Sequence, residues 1–276
     1  MAADVEGAQG GGELIQPRAP ASDAKALSDA RPAPRPVPSA CARCSLRKQT
    51  AFTAFSAHEL TFMESFRVGE THLRAGEVLY HEGDALDLFY TAKSGQGARY
   101  KYLTNGDRQL VNFVFPGDTI GLQGVLEDAA ACTVAAASDM VFCTFRRTRL
   151  NELFTHSPDR GFALVWISAA EEHFLSEIIA ALGQRTAQQR MAWALLKIHR
   201  RLSDLGLAQG DAVPFPFRQR DLADALGLSL VHTNKTLAGL RAHAQWQDGM
   251  LTLSNRPALS EIAMLPHDQP PPRPLL

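Results

Sequence analysis

Short apolar runs alternate with turn residues between about Glu70 and Arg147. The runs EVLYH, LFYTAK, ARYKYL, QLVNFVF and MVFCTF are rich in β-branched and aromatic residues. Glycines at positions 76, 83, 95, 106 and 117 recur between the runs, and glycine readily adopts the positive φ of a tight turn. Runs of this length and spacing predict a compact antiparallel β-sandwich or barrel.

The pattern changes after Pro158. No proline interrupts residues 160–183, and apolar side chains recur four residues apart, which predicts a long helix with one apolar stripe. The stripe could pack on the β domain of its own chain or meet a second copy of itself. A helix that joins two domains has little of its own chain to cover it, so we predict a dimerisation helix. Its stripe consists of Phe162, Trp166, Ala170, Phe174 and Ile178.

A second helix is predicted from Thr186 to about Leu205, and the segment FRQRDLADALGLSLVHTNKTLAGLRAHA after it is typical of two short helices joined by a turn. Gly227 would form the turn, where a side chain would obstruct the approach of the helices. Ser229 would cap the second helix through its hydroxyl. The residues expected to face inward along that helix are Leu230, Thr233, Leu237 and Leu240.

The outward face of this second helix carries side chains that can read DNA. Asn234 can pair with adenine, Lys235 can donate to guanine or phosphate, and Val231 can contact a thymine methyl group. The segment AQWQDGMLTLS then predicts a hairpin, which would form a wing beside the helix. An ordinary helix pair in water is the alternative, but the order of these elements favours a winged helix-turn-helix. The predicted DNA-contacting residues are Arg218, Gln219, Ser229, Val231, His232, Asn234, Lys235 and Arg241.

Charge supports this interpretation only locally. The 276 residues carry 28 Lys and Arg against 29 Asp and Glu, which by itself indicates no partner. Between Gln184 and Arg256, however, ten Lys and Arg stand against five Asp, a surplus that suits double-stranded DNA. The N-terminal residues do not resemble a signal peptide, and no apolar stretch reaches the ~20 residues that span a bilayer. We therefore expect a cytoplasmic protein with no membrane contact.

In this order the motifs resemble the Crp/Fnr family of bacterial regulators. The resemblance covers about residues 41–264 and rests on RAGEVLYHEGD, TNGDRQ, FPGDTIGL and DLADALGLSLVHTNKTL. It implies an α+β fold whose sensor is an antiparallel β-roll, like the jelly roll of cyclic-nucleotide-binding domains. It also implies a homodimer that inserts two recognition helices into a palindromic operator, with RNA polymerase as a partner.

The resemblance, together with composition, divides the chain into five parts. The roll would occupy residues 39–158, the dimerisation helix 159–184 and the winged helix 185–265. Residues 1–38 and 266–276 are rich in proline or small residues and are predicted to be disordered.

Two departures from the family limit what the resemblance implies. Cyclic-AMP-binding members place an Arg-Ser pair on the cyclic phosphate, and here Ala130, Ala131 and Cys132 stand around that position. Without a guanidinium the phosphate would lack its bidentate partner, so cyclic AMP is not expected as the effector. In the recognition helix, Fnr-like members carry Glu, two residues, then Ser-Arg. The matching Val231, Asn234 and Lys235 predict a different operator.

Cysteines pose a separate question. The oxygen-sensing branch of the family holds a [4Fe–4S] cluster on a C-x2-C-x5-C run and one later cysteine. Cys41, Cys44 and Cys143 match three of these positions, but Thr50 stands at the fourth. A threonine hydroxyl is a poor ligand for a centre that prefers thiolate. Cys132 could replace it only if the roll brings it near.

Three interpretations of these cysteines stay open. They could hold a cluster with one substitute ligand. They could act as a thiol switch, with Arg43, Arg47 and Lys48 lowering the pKa of Cys41 or Cys44 and so favouring the thiolate. They could also be a structural or inherited remnant with no such role.

Together these features predict a homodimeric, sequence-specific transcription regulator whose roll responds to a redox, oxygen or small-molecule signal. The alternative is a small-ligand sensor whose helical end contacts protein rather than DNA. The sequence shows no nucleophile–base pair, phosphate-binding glycine loop or acid dyad, so we do not expect an enzyme. Salt-sensitive binding to palindromic DNA distinguishes the two alternatives.

Overall fold

The computed structural model describes residues 33–34, 41–265 and 272–276. The predicted disordered segment 1–38 therefore lies outside the described residues, apart from 33–34. Two short 3-10 helices, Cys41–Arg43 and Ser45–Lys48, and helix α1 (Ala57–Phe66) precede the first strand. Ser56 caps α1, because its hydroxyl accepts from Glu59 N while the Glu59 carboxylate accepts from Ser56 N.

Eight strands form the roll. They pair, in every case antiparallel, into two four-stranded sheets of order β1-β8-β3-β6 and β2-β7-β4-β5. The five glycines that punctuate the sequence pattern all have φ between 82° and 88°, as tight turns require. The predicted antiparallel roll is thus confirmed. Its strands are β1 (Arg67–Leu73), β2 (Val78–Tyr80), β3 (Leu88–Ser94), β4 (Gly97–Tyr102), β5 (Arg108–Val114), β6 (Thr119–Ile120), β7 (Thr133–Ala136) and β8 (Met140–Arg146).

Helices follow the roll. The short α2 (Gly124–Glu127) lies within it, and α3 (Asn151–His156) follows a 3-10 turn at Arg147–Arg149. The long α4 (Pro158–Gln184) begins with a proline at its first turn, where the missing N–H costs no helical hydrogen bond. Helix α5 (Ala187–Asp204) buries one face in the core that joins the roll to the C-terminal domain.

The C-terminal domain is a winged helix. Helices α6 (Gln219–Leu226) and α7 (Leu230–Gly239) are followed by the hairpin of β10 (Ala244–Gln247) and β11 (Met250–Leu253), then by α8 (Arg256–Ala263). Strand β9 (Ala212–Pro214) completes a three-stranded sheet of order β10-β11-β9. The hairpin turns at Asp248 and Gly249, which have φ of 51° and 72°, as the sequence predicts. Within the part of the chain that the structure describes, no helix is long and apolar enough to cross a membrane.

Residues 272–276, hereafter the return segment, pack against the roll. Arg273 forms a bridge beside Phe52, donating from its N to Ala51 O (2.9 Å) and accepting at its O from Thr53 N (3.0 Å). Leu275 and Leu276 are 4% and 5% exposed. The prediction of disorder is wrong for these five residues, because two leucines bury their side chains. Residues 266–271 lie outside the described part of the chain.

Candidate DNA-binding surface and thiol pocket

The turn between α6 and α7 has the geometry that the sequence predicts. Gly227 adopts the left-handed conformation with φ 60°, and Leu228 N donates to Ala223 O (3.0 Å) to close the end of α6. Ser229 Oγ accepts from His232 N (3.2 Å) at the start of α7. The Ser229 hydroxyl thus caps the start of α7. A contact between Ser229 and DNA stays a prediction.

Helix α7 presents most of its predicted reading face to solvent. Val231 is 80% exposed, and His232, Asn234 and Lys235 are exposed as well. One inward assignment is wrong, since Leu230 is 47% exposed. The buried positions of the helix are instead Thr233, Thr236 and the following Leu240, with Leu237 partly buried. Thr236 satisfies its hydroxyl by donating to His232 O (2.8 Å).

The remaining predicted DNA-contacting residues flank this helix. Arg218 and Gln219 are exposed at the start of α6, and Arg241 is exposed just after α7. Arg218 N donates to Asp221 Oδ2 (2.9 Å), which fixes the first turn of α6. These positions suit contacts with phosphates on either side of a groove.

The roll contacts α6 through a cluster of polar side chains that the sequence does not predict. Arg108 of β5 donates to Asp221 Oδ1 (2.9 Å) and, through Nε, to Asp224 Oδ2 (2.9 Å). Tyr100 of β4 donates to Asp221 Oδ1 (3.2 Å), and the Arg108 guanidinium stacks 4.4 Å above its ring. We call these four residues the interdomain clamp. No local signal marks it, because its halves lie more than a hundred residues apart.

The predicted dimer stripe on α4 winds around the helix instead of following one exposed face. Phe162 is 69% exposed, whereas Phe174 stacks on Trp193 of α5 (centroids 6.2 Å apart) and Ile178 packs into the same core. Trp166 and Ala170 are half-buried. Residues four apart in an α-helix drift by about 40° per step, so the stripe turns from solvent into the protein.

A different set of α4 residues lines one exposed face. They are spaced alternately three and four apart, the repeat that keeps residues on one side of a helix. Val165 and Ile179 are 54% and 71% exposed among them. We call this face the α4 seam; it consists of Phe162, Val165, Ala169, Glu172, Ser176, Ile179 and Gly183, all exposed.

Cys41, Cys44 and Cys143 come together in one pocket, as their alignment with the family predicts. Cys41 begins the first 3-10 helix, Cys44 lies between the two 3-10 helices, and both line the same pocket as Cys143 of β8. Arg67 lies within hydrogen-bonding reach of Cys143. The pocket wall is otherwise mixed, cationic and apolar, and includes Arg43, Arg47, Lys93, Phe55, Met63, Phe145, Leu275 and Leu276. We call this the thiol pocket.

Burial outweighs the cations in setting the acidity of these thiols. Burial raises the pKa of Cys143 to about 12, against the opposing effect of Arg67. Burial also raises the pKa of Cys41, and Arg67 again opposes it more than Arg47 does. Arg47 thus acts on Cys41 in the expected direction, but the expected net lowering of the Cys41 pKa is wrong, because burial has the larger effect.

The donor set does not match a four-thiolate cluster. Thr50 and Cys132 are not among the residues that line the thiol pocket. Cys132 is 7% exposed in the roll's own hydrophobic core and does not line the thiol pocket, so it supplies no fourth sulfur there. Among the described residues, no group of three or more His, Cys, Asp or Glu is arranged to hold a metal ion.

The roll interior holds its own ion pair. Arg99 of β4 is 6% exposed and donates to Glu171 of α4 (2.8 Å) and to Thr119 O (3.0 Å). Asn112 also donates to Glu171 (3.1 Å). Arg99 stands close to Cys132, one of the residues that replace the Arg-Ser pair expected for a cyclic phosphate. An anionic ligand would have to compete with Glu171 for this guanidinium.

Comparisons with known proteins agree with this architecture. A cyclic nucleotide-binding domain model matches residues 70–157, and a Crp-like helix-turn-helix domain model matches residues 189–262. The chain is similar to the transcriptional activator protein FnrL of Cereibacter sphaeroides, with 26% identity over 219 residues, 78% of this chain and 85% of that protein. It is similar to the nitrogen fixation regulation protein FixK of Bradyrhizobium diazoefficiens, with 29% identity over 208 residues, 74% and 84% of the two chains.

A solved structure shares the fold. The structure of FixK2 from Bradyrhizobium japonicum has a TM-score of 0.63 and 26% sequence identity, covering 70% of this chain and 96% of that one. The two domain matches occur in the order of the roll and the winged helix described above. From this shared domain order, the similar regulators and the shared fold, we conclude that the chain belongs to the Crp/Fnr family of DNA-binding transcription regulators.

Proposed function

We propose that this regulator works in the cytoplasm as a homodimer, with one α7 helix from each protomer in the major groove of a two-fold-symmetric DNA site. The observation that carries the proposal is the exposed face of α7, where Asn234 and Lys235 project from a helix whose start is capped by Ser229. An amide and an ammonium at these positions can contact base edges and phosphates. Family membership supports RNA polymerase as its partner at the promoter.

The α4 seam supports the dimer. Its alternating three-and-four spacing suits a parallel pair of helices related by a two-fold axis, because each seam then meets its own copy. The small Ala169, Ser176 and Gly183 allow close approach, and Phe162 and Ile179 offer apolar surface. The predicted stripe contributes Phe162 to this face, while Phe174 and Ile178 serve the fold of the protomer.

The DNA proposal is tested with the variants Asn234→Ala and Lys235→Ala. The operator is first selected from random duplexes, and affinity is measured by fluorescence anisotropy at several salt concentrations. Each variant should bind the operator about tenfold more weakly, since one good base contact contributes about 1–3 kcal/mol. If Lys235 contacts phosphate, its variant should also lower the salt slope by about one.

Lys101→Ala is the matched control, because Lys101 is an exposed cation on the roll that pairs with Glu82 there. It should leave operator affinity unchanged. Unchanged affinity of the two α7 variants would overturn the assignment of the reading face. Failure of the wild-type protein to select any duplex would favour the alternative, in which the helical end contacts protein.

We further propose that the signal is redox and enters at the thiol pocket. Three cysteines around one pocket support this, and two thiols can close a disulfide. With hydrogen peroxide as the oxidant, two thiols lose two protons and two electrons, and the peroxide is reduced to two waters. Because a four-thiolate cluster does not match the donor set, we assign no step to iron.

The signal is tested by measuring operator affinity before and after peroxide, with the disulfide mapped by mass spectrometry. Cys143→Ser should abolish any response that uses this residue, whereas Cys132→Ser, outside the pocket, should keep it. Purification under strictly anaerobic conditions should yield neither iron nor acid-labile sulfide. Both present in stoichiometric amounts would establish a cluster and overturn the disulfide proposal.

A further inference from the structure

The return segment reaches the sensor from the far end of the DNA-binding domain. Helix α8 ends at Ala263 within the winged helix, yet Arg273 lies beside Phe52, a few residues after the segment that contains Cys41 and Cys44. Its two backbone hydrogen bonds to residues 51 and 53 are 2.9 and 3.0 Å long. The chain thus contacts the thiol-bearing segment at both sides of Phe52.

Side chains fix the segment as well as its backbone. Arg160 of α4 donates to Leu275 O (2.9 Å) and holds Glu59 of α1 (2.6 Å) through its Nε. Arg273 pairs with Asp118 (3.2 Å), whose carboxylate also accepts from Arg201 of α5 (3.0 Å). The anchors therefore come from the roll, from α4 and from α5.

The segment ends at the wall of the thiol pocket. Leu275 and Leu276 line the same pocket as Cys41, Cys44 and Cys143, and both leucines are almost fully buried. Leu276 packs with Met63 and Phe66 of α1 and with Leu153 of α3. Apolar side chains at this wall limit the approach of water and dissolved oxidants to the three partly exposed cysteines.

We propose that the return segment is an intrachain lid that controls access to the thiol pocket. While it is seated, the three cysteines are only partly exposed and react slowly. When it leaves, water and oxidants reach the sulfur atoms. Burial is the largest cause of the raised pKa at Cys41 and Cys143, so release also lowers those pKa values and increases the thiolate fraction. The lid concerns access alone and requires no change in DNA affinity.

The lid is tested by the alkylation rate of each cysteine in the full-length protein, with N-ethylmaleimide as the probe and peptide mass spectrometry as the readout. Leu276→Asp places a charge in the apolar wall and should unseat the segment. The rate at Cys143 should rise by about tenfold, the change expected when a local opening becomes more frequent. Leu276→Ala, a milder change, should raise it by less.

Two controls separate the lid from general unfolding. Pro272→Asp puts the same charge on the exposed start of the segment and should leave all rates unchanged. Cys132, buried in the roll's core away from the pocket, reports whether the whole roll has loosened. An unchanged rate at Cys143 would overturn the proposal, and so would an equal rise at Cys132, since the segment would then be only a part of the roll's fold.

The same experiment distinguishes the lid from the proposed redox function. A faster Cys143 with no peroxide effect on operator affinity would support the lid and contradict the redox proposal. If peroxide changes operator affinity but Leu276→Asp leaves the alkylation rate of Cys143 unchanged, the redox proposal is supported and the lid is contradicted.

Discussion

Cys143 lies on a central strand of the roll, opposite Glu70 of β1 and Thr91 of β3, with the Arg67 guanidinium near its sulfur. The cation favours the thiolate, and the surrounding apolar wall favours the thiol. The wall has the larger effect, so the thiol of this partly buried residue stays protonated at neutral pH. A cation beside a thiol is therefore a poor guide to the reactivity of that thiol when the burial of the sulfur is unknown.

This balance predicts how stability depends on alkaline pH. Folded Cys143 keeps its proton to about pH 12, whereas the unfolded chain loses it near the ordinary value of 9.0. The folded pKa is raised, so the contribution is complete below pH 9 and is lost as the pH rises from there towards 12. Replacing Cys143 by Ala removes this contribution.

Urea unfolding of the wild type and of Cys143→Ala, at pH 8 and again at about pH 10.5, checks the prediction. The wild type should lose up to about 2 kcal/mol more than the variant between these conditions, because one pH unit corresponds to about 1.4 kcal/mol. All other titrating groups are common to the two proteins and cancel in the difference. Parallel losses would show that Cys143 titrates normally.

At the scale of single elements, α4 shows how a helix can have the predicted length and a different working face. Its core-facing residues and its exposed seam are both partly apolar, so a search for residues four apart finds a mixture of the two. The alternating spacing of the seam becomes visible only once Phe174 is known to stack on Trp193. One face then packs within the protomer, and the other is the face that the proposed dimer would bury.

The seam predicts that Ile179→Glu weakens the dimer. In the proposed dimer, two copies of the new carboxylate would meet near the two-fold axis and repel each other. The apolar surface of Ile179, which is 71% exposed in the protomer, would no longer be buried there. Sedimentation velocity over a concentration series should show dimerisation weakened by about tenfold or more, that is about 1.4 kcal/mol.

Leu103→Glu makes the same change at a 62% exposed leucine in a loop of the roll, and should leave dimerisation unaltered. A dimer as stable in Ile179→Glu as in the wild type would locate the interface elsewhere.

The features of the fold and of the site that can be predicted from the sequence are those that depend on a few neighbouring residues. The strands, the Gly227 turn, the Ser229 cap and the Asp248-Gly249 hairpin each depend on a few neighbouring residues, and all are present. The exposed Asn234 and Lys235 follow from helical periodicity. The predicted inward position of Leu230 is wrong, because the first turn of a short helix can project beyond the core on which the helix packs. Contacts between distant residues, such as the clamp and the return segment, leave no local pattern.

At the scale of the whole molecule, the interdomain clamp ties the sensor to the helix that precedes the reading helix. Asp221 makes contacts in both domains, because it fixes the first turn of α6 and also accepts from Tyr100 and Arg108 of the roll. Gln109 adds a bond to Asp224 O (2.6 Å). We therefore expect a movement of the β4–β5 hairpin to be passed to α6 through these direct contacts.

The clamp predicts that Arg108→Gln separates the two domains. Two aspartates would lose their shared cation while remaining partly buried, which should lower the free energy of unfolding by about 1–3 kcal/mol. Calorimetry should show the melting of the winged helix moving away from that of the roll.

Lys101→Gln removes an exposed ion pair that lies wholly within the roll, and should change stability by no more than about 1 kcal/mol. A single transition in Arg108→Gln, at the wild-type temperature, would contradict a role for the clamp in coupling the domains.

The return segment also has a consequence for synthesis of the protein on the ribosome. Phe52 meets Arg273, more than two hundred residues later, so the wall of the thiol pocket is incomplete while the rest of the chain is being made. Domains generally fold as they emerge, and the roll would precede the winged helix. If the proposed lid operates, we expect the cysteines of a newly folded roll to be more open to oxidants while the second domain is translated, until Leu275 and Leu276 dock.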